Sequence, residues 1–183
     1  MNPVGQDGRL TVLFENHHAE LLAYCTRRIG RTDADDVVSD VFAVAWKRLD
    51  EIEWDTARPW LYGIARGVLA NRWRTVRRQR RLRERLSALV GGSAETPDIY
   101  VVRRDDDNEV IHALKRLTSD DQEILMLAAW EELSAPGIAR ALDISVSAAE
   151  KRLTRAKQRF AKVLGPTRFP KAASIPAGTE GDV

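Results

Sequence analysis

The chain has a single cysteine, Cys25, in 183 residues. One thiol excludes an intrachain disulfide and a cysteine-rich zinc centre, and it fits a reducing compartment. No apolar run approaches the roughly 18 residues that a membrane-spanning helix needs. Residues 1–9 lack the charged-then-apolar order of a secretion signal, so a cytoplasmic protein is expected. Histidine is scarce: His17, His18 and His112 are scattered and match neither a metal-ligand spacing nor a triad. A glycine-rich phosphate loop, H-E-x-x-H and G-x-S-x-G are all missing. The expectation is therefore no catalytic residues, no cofactor, no metal and no small-molecule substrate. No alternating apolar–polar run reads as a strand, which leaves an all-α fold class.

Net charge is only +2, which by itself does not point to nucleic acid. Its distribution is more informative. Residues 33–55 hold Asp33, Asp35, Asp36, Asp40, Asp50, Glu51, Glu53 and Asp55 against Lys47 and Arg48, whereas residues 72–85 are almost purely basic. Separate acidic and basic surfaces imply two partners of different character. Two patterned blocks, 1–86 and 109–164, flank a middle segment, 87–108, that contains Gly91, Gly92, Ser93, Pro97 and Asp105 to Asp107. That composition describes a flexible linker between two small helical domains. Residues 165–183, with Pro166, Pro170 and Pro176, are expected to form a disordered tail. Each small block can bury only a modest core, so the two domains are expected to tumble freely on the linker.

Within the first block a helix ends at Gly30, a second starts at Thr32 with carboxylates in its first turn, and a third starts near Pro59. Val38, Val41, Phe42, Ala45 and Leu49 share one face of the second helix. In the second block Ile138, Ala139 and Leu142 mark a short helix, and Asp143-Ile144-Ser145 marks a turn. A longer helix follows with Ala149, Leu153, Ala156, Phe160 and Val163 on one face. Its other face carries Lys151, Arg152, Arg155, Lys157, Arg159 and Lys162. Short helix, tight turn and basic amphipathic helix describe a helix-turn-helix whose second helix enters the major groove. Ser145 can cap that helix, or Ser147 can do so in a capping box with Glu150. A solvated basic helix packed on its neighbour is the plain alternative.

The arginine run Arg72, Arg74, Arg77, Arg78, Arg80, Arg81, Arg83 and Arg85 repels itself unless a polyanion neutralises it. Trp73 within it either stacks on an unpaired base or packs in a core. The clustered carboxylates lie at helix starts and in the linker and lack a metal-ligand pattern, which argues against a metal-dependent nuclease.

Two passages resemble a known family. "DADDVVSDVFAVAWKRLD" (33–50) with "RPWLYGIARGVLANRWR" (58–74) resembles region 2 of ECF (extracytoplasmic function) RNA polymerase sigma factors. "LTSDDQEILMLAAWEELSAPGIARALDISVSAAEKRLTRAKQRF" (117–160) resembles their region 4. The resemblance implies a region 2 bundle in 1–86 and a region 4 helix-turn-helix in 109–164. It implies docking of Asp36, Ser39, Asp40, Phe42 and Trp46 on the clamp helices of the polymerase core, with a place in the core as the alternative for Phe42, and docking of region 4 on the flap. Ser39 and Asp40 stand where the family usually has Gln and Glu. It further implies −10 recognition by the loop 50–57, where Trp54 either reaches a base or anchors the loop in the core, and by Asn71, Arg72, Arg74, Arg77 and Arg78. Recognition of the −35 element falls to Glu150, Lys151, Thr154 and Arg155, with Arg152, Arg159 and Ser145 positioning phosphates. Promoter DNA and polymerase core are the implied partners, and an anti-sigma protein is a further partner the family allows. Gly63 and Gly67 stand where other members carry Arg or Asn, and each costs a helix about 1 kcal/mol relative to Ala. A stand-alone helix-turn-helix regulator is the rival reading, and it leaves the acidic helix and the arginine run unexplained.

Overall fold

A computed structural model describes residues 6–88 and 108–165. The described residues form seven helices and no strand. They are α1 (Gln6–Ile29), α2 (Arg31–Lys47), α3 (Ala57–Ala88), α4 (Asn108–Lys115), α5 (Ser119–Ala129), α6 (Ala135–Leu142) and α7 (Val146–Leu164). Two 3-10 turns, Leu49–Glu51 and Trp54–Thr56, join α2 to α3. The all-α expectation holds. Almost all of the expected linker, and the expected disordered tail beyond residue 165, lie outside the described residues.

Local chemistry sets most of the helix ends. Gly30 closes α1 at φ +81°, a left-handed conformation that glycine adopts without cost, and its amide donates to the Thr26 carbonyl at 2.9 Å. α2 starts one residue earlier than expected. Gly30 occupies its cap position, no side chain caps it, and Thr32 lies inside the helix. α3 likewise begins two residues before Pro59. In the second block, hydroxyls cap three successive helices. Thr118 accepts from the Asp121 amide, Ser134 from Gly137 and Ser145 from Ala148, at 3.2–3.4 Å. Ser145 is thus the cap of α7, and the capping box on Ser147 does not form. Asp143 turns the chain in the left-handed region at φ 53°, and the Ile144 amide donates to the Ala139 carbonyl at 3.0 Å. A short polar side chain tolerates that conformation better than most.

α2 buries Ala34, Val37, Val38, Val41, Phe42 and Ala45 against α1 and α3. In the second block, α7 buries Ala149 and Ala156 against α5 and α6, and α4 packs on it as well. Each block therefore has internal contacts of its own. The blocks are nevertheless not separate. One continuous set of buried side chains runs from Leu13, Leu61 and Leu69 through Ile124, Leu127 and Leu133 to Ile138 and Ala141. α6 lies directly on α3, and a Cβ added at Gly63 would sit 3.3 Å from the Ala141 carbonyl oxygen. The missing side chain is what lets the two backbones approach. Gly67 has open space beside it, so no packing reason accounts for it. The expectation of two freely tumbling domains is corrected here: the chain is closed, with region-sized blocks joined through α1, α3, α5 and α6. Periodicity missed the joint because its apolar and charged partners lie far apart in sequence.

Two outcomes follow from these contacts. Ser145→Ala should destabilise the protein by about 1 kcal/mol in denaturant unfolding followed by circular dichroism, as for other lost caps. Ser147→Ala should stay within about 0.5 kcal/mol of wild type. Burial pushes the Cys25 thiol up to about 12, so thiolate is scarce at pH 8. A chromogenic disulfide reagent at that pH should leave the native thiol unmodified and titrate one thiol in denaturant.

Candidate nucleic-acid interface

The basic face of α7 is built by burial of its opposite face. Ala149 and Ala156 are fully enclosed, and Leu153 is half-buried against the core. Residues at the intervening positions therefore point outward: Glu150, Lys151, Arg152, Thr154 and Arg155 are all exposed. Among the described residues, none pairs with Lys151, Arg152 or Arg155, so these cations are available to a ligand. The Thr154 hydroxyl donates to the Glu150 carbonyl at 2.9 Å, which leaves its oxygen to accept. Ser145 spends an oxygen lone pair on the α7 cap but keeps a hydroxyl proton to donate outward. Arg159, expected to position phosphate, is exposed and also has a partner within the fold. Its guanidinium pairs with Asp121 at 2.7 and 3.0 Å and ties α7 to α5.

The second basic surface lies on α3. Asn71, Arg74, Arg77 and Arg78 are exposed. Arg74 also donates from Nε to the Ala70 carbonyl at 3.3 Å. Arg72 is half-buried and pairs with Asp33 at 2.6 Å, which fastens α3 to the start of α2. The side chains of Arg80, Arg83 and Arg85 lie outside the described residues. Trp73 is half-buried and packs against the core, which favours the second of its two readings. It also lines a cleft of about 430 Å³ between the blocks, together with Arg66, Arg74, Ile124, Leu142 and Arg152. Burial of Ile52 and Ala57 pins the loop from residue 50 to 57. Trp54 stands out from that loop, 40% exposed, with the Arg9 guanidinium 5.8 Å from its ring centre. Arg9 also donates to the Leu49 carbonyl at 2.7 Å and so holds the loop against α1.

The acidic surface lies on α2. Asp36, Ser39 and Asp40 are exposed, and Trp46 is half-buried against the core. Phe42 takes the second of its two readings, a place in the core. It is only 6% exposed, and its ring lies 5.0 Å from that of Phe14. Asp40 and Lys47 face Asn71, Arg72 and Thr75 across a groove of about 470 Å³ between α2 and α3. The acidic and basic surfaces thus meet along one groove. No group of three or more metal-ligating side chains occurs among the described residues, and no described helix is long and apolar enough to cross a membrane.

The sequence reading missed Arg28, Glu123 and Glu131. Arg28 is 1% exposed and Glu131 2%. The Arg28 guanidinium lies 3.5 Å from the centre of the Tyr24 ring. Burial works against its charge, but Tyr24, Glu123 and Glu131 outweigh it and hold its pKa above the ordinary arginine value. A buried cation needs partners, and here they come from the other block. No local pattern signals that.

Comparison with known proteins agrees with this arrangement. Residues 13–81 match the sigma-70 region 2 family, and residues 107–160 match sigma-70 region 4. The RNA polymerase sigma factor NccH of Alcaligenes xylosoxydans xylosoxydans is 32% identical over 157 residues, covering 80% of this chain and 82% of that protein. The RNA polymerase sigma factor CnrH of Cupriavidus metallidurans is 34% identical over 161 residues, with the same coverage of each. Among solved structures, CnrH in complex with the cytosolic domain of CnrY superposes with a TM-score of 0.57 at 27% identity. It covers 87% of this chain and 89% of that one. The sigma factor RpoE from Bartonella quintana, in complex with the anti-sigma factor NepR, shares the fold at 21% identity, also with a TM-score of 0.57. That match covers 88% of this chain and 98% of that one. With region 2 and region 4 present in order, and with relatives of this identity matched over most of their length, the chain belongs to the ECF family of RNA polymerase sigma factors.

Proposed function

We propose that this sigma factor docks on polymerase core through the exposed acidic face of α2 and reads promoter DNA through α3 and α7. The observation that carries the reading is the α7 surface: a capped helix, one face enclosed, with Lys151, Arg152 and Arg155 exposed on the other and paired with none of the described residues. A helix so presented offers donors to phosphates and base edges in the major groove. Glu150, Lys151, Thr154 and Arg155 read the −35 element, and Arg152 and Ser145 hold phosphates. Arg159 serves the fold through Asp121. Asp36, Ser39 and Asp40 contact the clamp helices of the largest subunit, and region 4 contacts the flap.

At the −10 element, the loop 50–57 presents Trp54 to a base that has left the stack. Asn71, Arg74, Arg77 and Arg78 track the backbone of its strand, with Arg72 available once it leaves Asp33. Opening duplex costs about 1.4 kcal/mol per step on average. Stacking of one base on an aromatic returns about 1–3 kcal/mol. A few captured bases therefore offset a short bubble but do not open it alone. Polymerase holds both modules on the same DNA, and linked weak contacts gain from effective concentration. The chain performs no bond chemistry in this scheme, and its place of work is the cytoplasm. An anti-sigma protein is a further proposed partner, by analogy with the CnrH and RpoE complexes. A stand-alone regulator leaves the region 2 match unused and is not favoured.

Tagged full-length chain should retain polymerase core subunits in a pull-down, and adding it to core should produce run-off transcripts from a cognate promoter. Tight duplex binding by the chain alone, with no effect on transcription, would overturn the assignment. Arg155→Ala should cost about 1–3 kcal/mol at one −35 base position and relax discrimination there. Arg152→Ala should weaken binding evenly across sequences and lower the salt dependence by about one phosphate contact. Competition binding with single-base operator variants at two salt concentrations separates the two outcomes.

A further inference from the structure

The cleft between the blocks gathers charges that the fold does not use. Its volume is about 430 Å³, within the span of small-molecule sites, about 300–1,000 Å³. Leu69 and Ile124 give it an apolar floor. Arg28 and Glu123 also reach it, but they neutralise each other at 3.2 Å. Three further arginines line it, Arg66 and Arg74 from α3 and Arg152 from α7. All three are exposed, and none pairs with a carboxylate among the described residues. Like charges gathered around one cleft repel one another unless an anion enters. Arg66 belongs to neither the DNA-reading nor the docking surface.

Gly67 is a second, independent sign. It sits inside α3, where glycine is unfavourable relative to alanine. A Cβ there would meet nothing within 4 Å, so packing does not require its absence. Gly67 and Ala70 both line the cleft, between Arg66 and Arg74 in sequence. A larger side chain at Gly67 would occupy that space. The missing side chain thus leaves room beside Trp73, which packs on the core and also lines the cleft. An indole with part of its surface open is a platform for a planar ring.

Asp120 narrows the ligand further. It lines the same cleft at the start of α5 and has no partner among the described residues. Its charge works against a bare inorganic phosphate. A sugar hydroxyl or a base N–H, by contrast, donates to a carboxylate. Guanidiniums suit phosphate oxygens, an aromatic suits a flat ring, and a free carboxylate suits hydroxyls. One compound class carries all three.

We propose that this cleft binds a nucleoside di- or triphosphate. Arg66, Arg74 and Arg152 hold the phosphates, the base lies on Trp73 in the space left by Gly67, and Asp120 accepts from the ribose. Arg74 and Arg152 are also the residues assigned to DNA phosphates, so nucleotide and promoter DNA exclude each other. That consequence rests on the function proposed above; the site itself does not.

Isothermal titration calorimetry of the full chain, in magnesium-free buffer without DNA or polymerase, tests the site. At least one of ATP and GTP should bind saturably, with a Kd below about 1 mM. Adenosine, guanosine and inorganic tripolyphosphate should each bind at least about tenfold more weakly, having lost either the charged or the stacking contacts. Gly67→Gln fills the cleft without changing charge, and Arg66→Gln removes one cation. Each should weaken the nucleotide about tenfold, the scale of one charged hydrogen bond. Lys157→Gln removes an exposed cation of α7 outside the cleft and should leave affinity unchanged. Circular dichroism checks that each variant is folded, and Arg66→Gln, at an exposed position, decides if Gly67→Gln is not. No saturable binding, wild-type affinity in the folded cleft variants, or an equal loss in Lys157→Gln would overturn the site. Tripolyphosphate binding as tight as that of the nucleotide would overturn the nucleoside assignment. In a second arm, excess nucleotide should displace a fluorescent single-stranded oligonucleotide from wild type and not from Gly67→Gln. Simultaneous binding of both would overturn the competition. An oligonucleotide that does not bind at all counts against the DNA reading, and calorimetry still decides the site.

Discussion

Arg28 has to be neutralised, and the tertiary arrangement depends on how that is done. The residue sits on α1, inside the region 2 block, with 1% of its surface exposed. A guanidinium cannot shed its proton at any ordinary pH, so burial leaves it only the option of finding acceptors. Its own block supplies one backbone carbonyl, that of Tyr24, at 3.3 Å. The carboxylates come from about a hundred residues further along, in region 4. Burial of this one cation therefore requires both blocks to be in place. The small-residue contact at Gly63, the Tyr24–Tyr62 ring contact at 5.0 Å and the continuous apolar core are arranged around that requirement.

This places the two functional surfaces in an informative relation. The α7 face is a product of region 4 alone: three hydroxyl caps, a left-handed Asp143 and two enclosed alanines orient it without help from region 2. The α2–α3 groove is a product of region 2 alone, closed at one end by the Asp33–Arg72 pair. Each surface is thus preassembled, and their relative placement is set by the joint. A protein that must span two DNA elements gains from rigid readers and an adjustable separation, because positioning is then imposed once, by the larger enzyme that holds both.

Much of this was legible residue by residue. The helix ends at Gly30 and Asp143, the apolar faces of α2 and α7, the outward basic stripe and the Ser145 cap all follow from interactions within a few positions of one another. The start of α2 was misplaced because Gly30, which has no side chain, occupies the cap position, and α3 starts two residues before Pro59. Three features share a different origin. Phe42 was open between docking and core, and Phe14 covers it. Arg159, read as a phosphate contact, also pairs with Asp121. The blocks appeared independent, yet Arg28 and Glu131 join them. In each case the deciding partner lies between 28 and 103 residues away, beyond the reach of any periodicity.

By itself, the sequence determined the all-α class, the order of two modules, the family and the exposed basic face of α7, because hydrogen bonding and side-chain alternation along a helix are local. Only the tertiary structure decided which polar residues face water and which face each other. A charge on an amphipathic helix has the same local signature whether solvent or a distant carboxylate neutralises it, and the difference appears only when two segments meet.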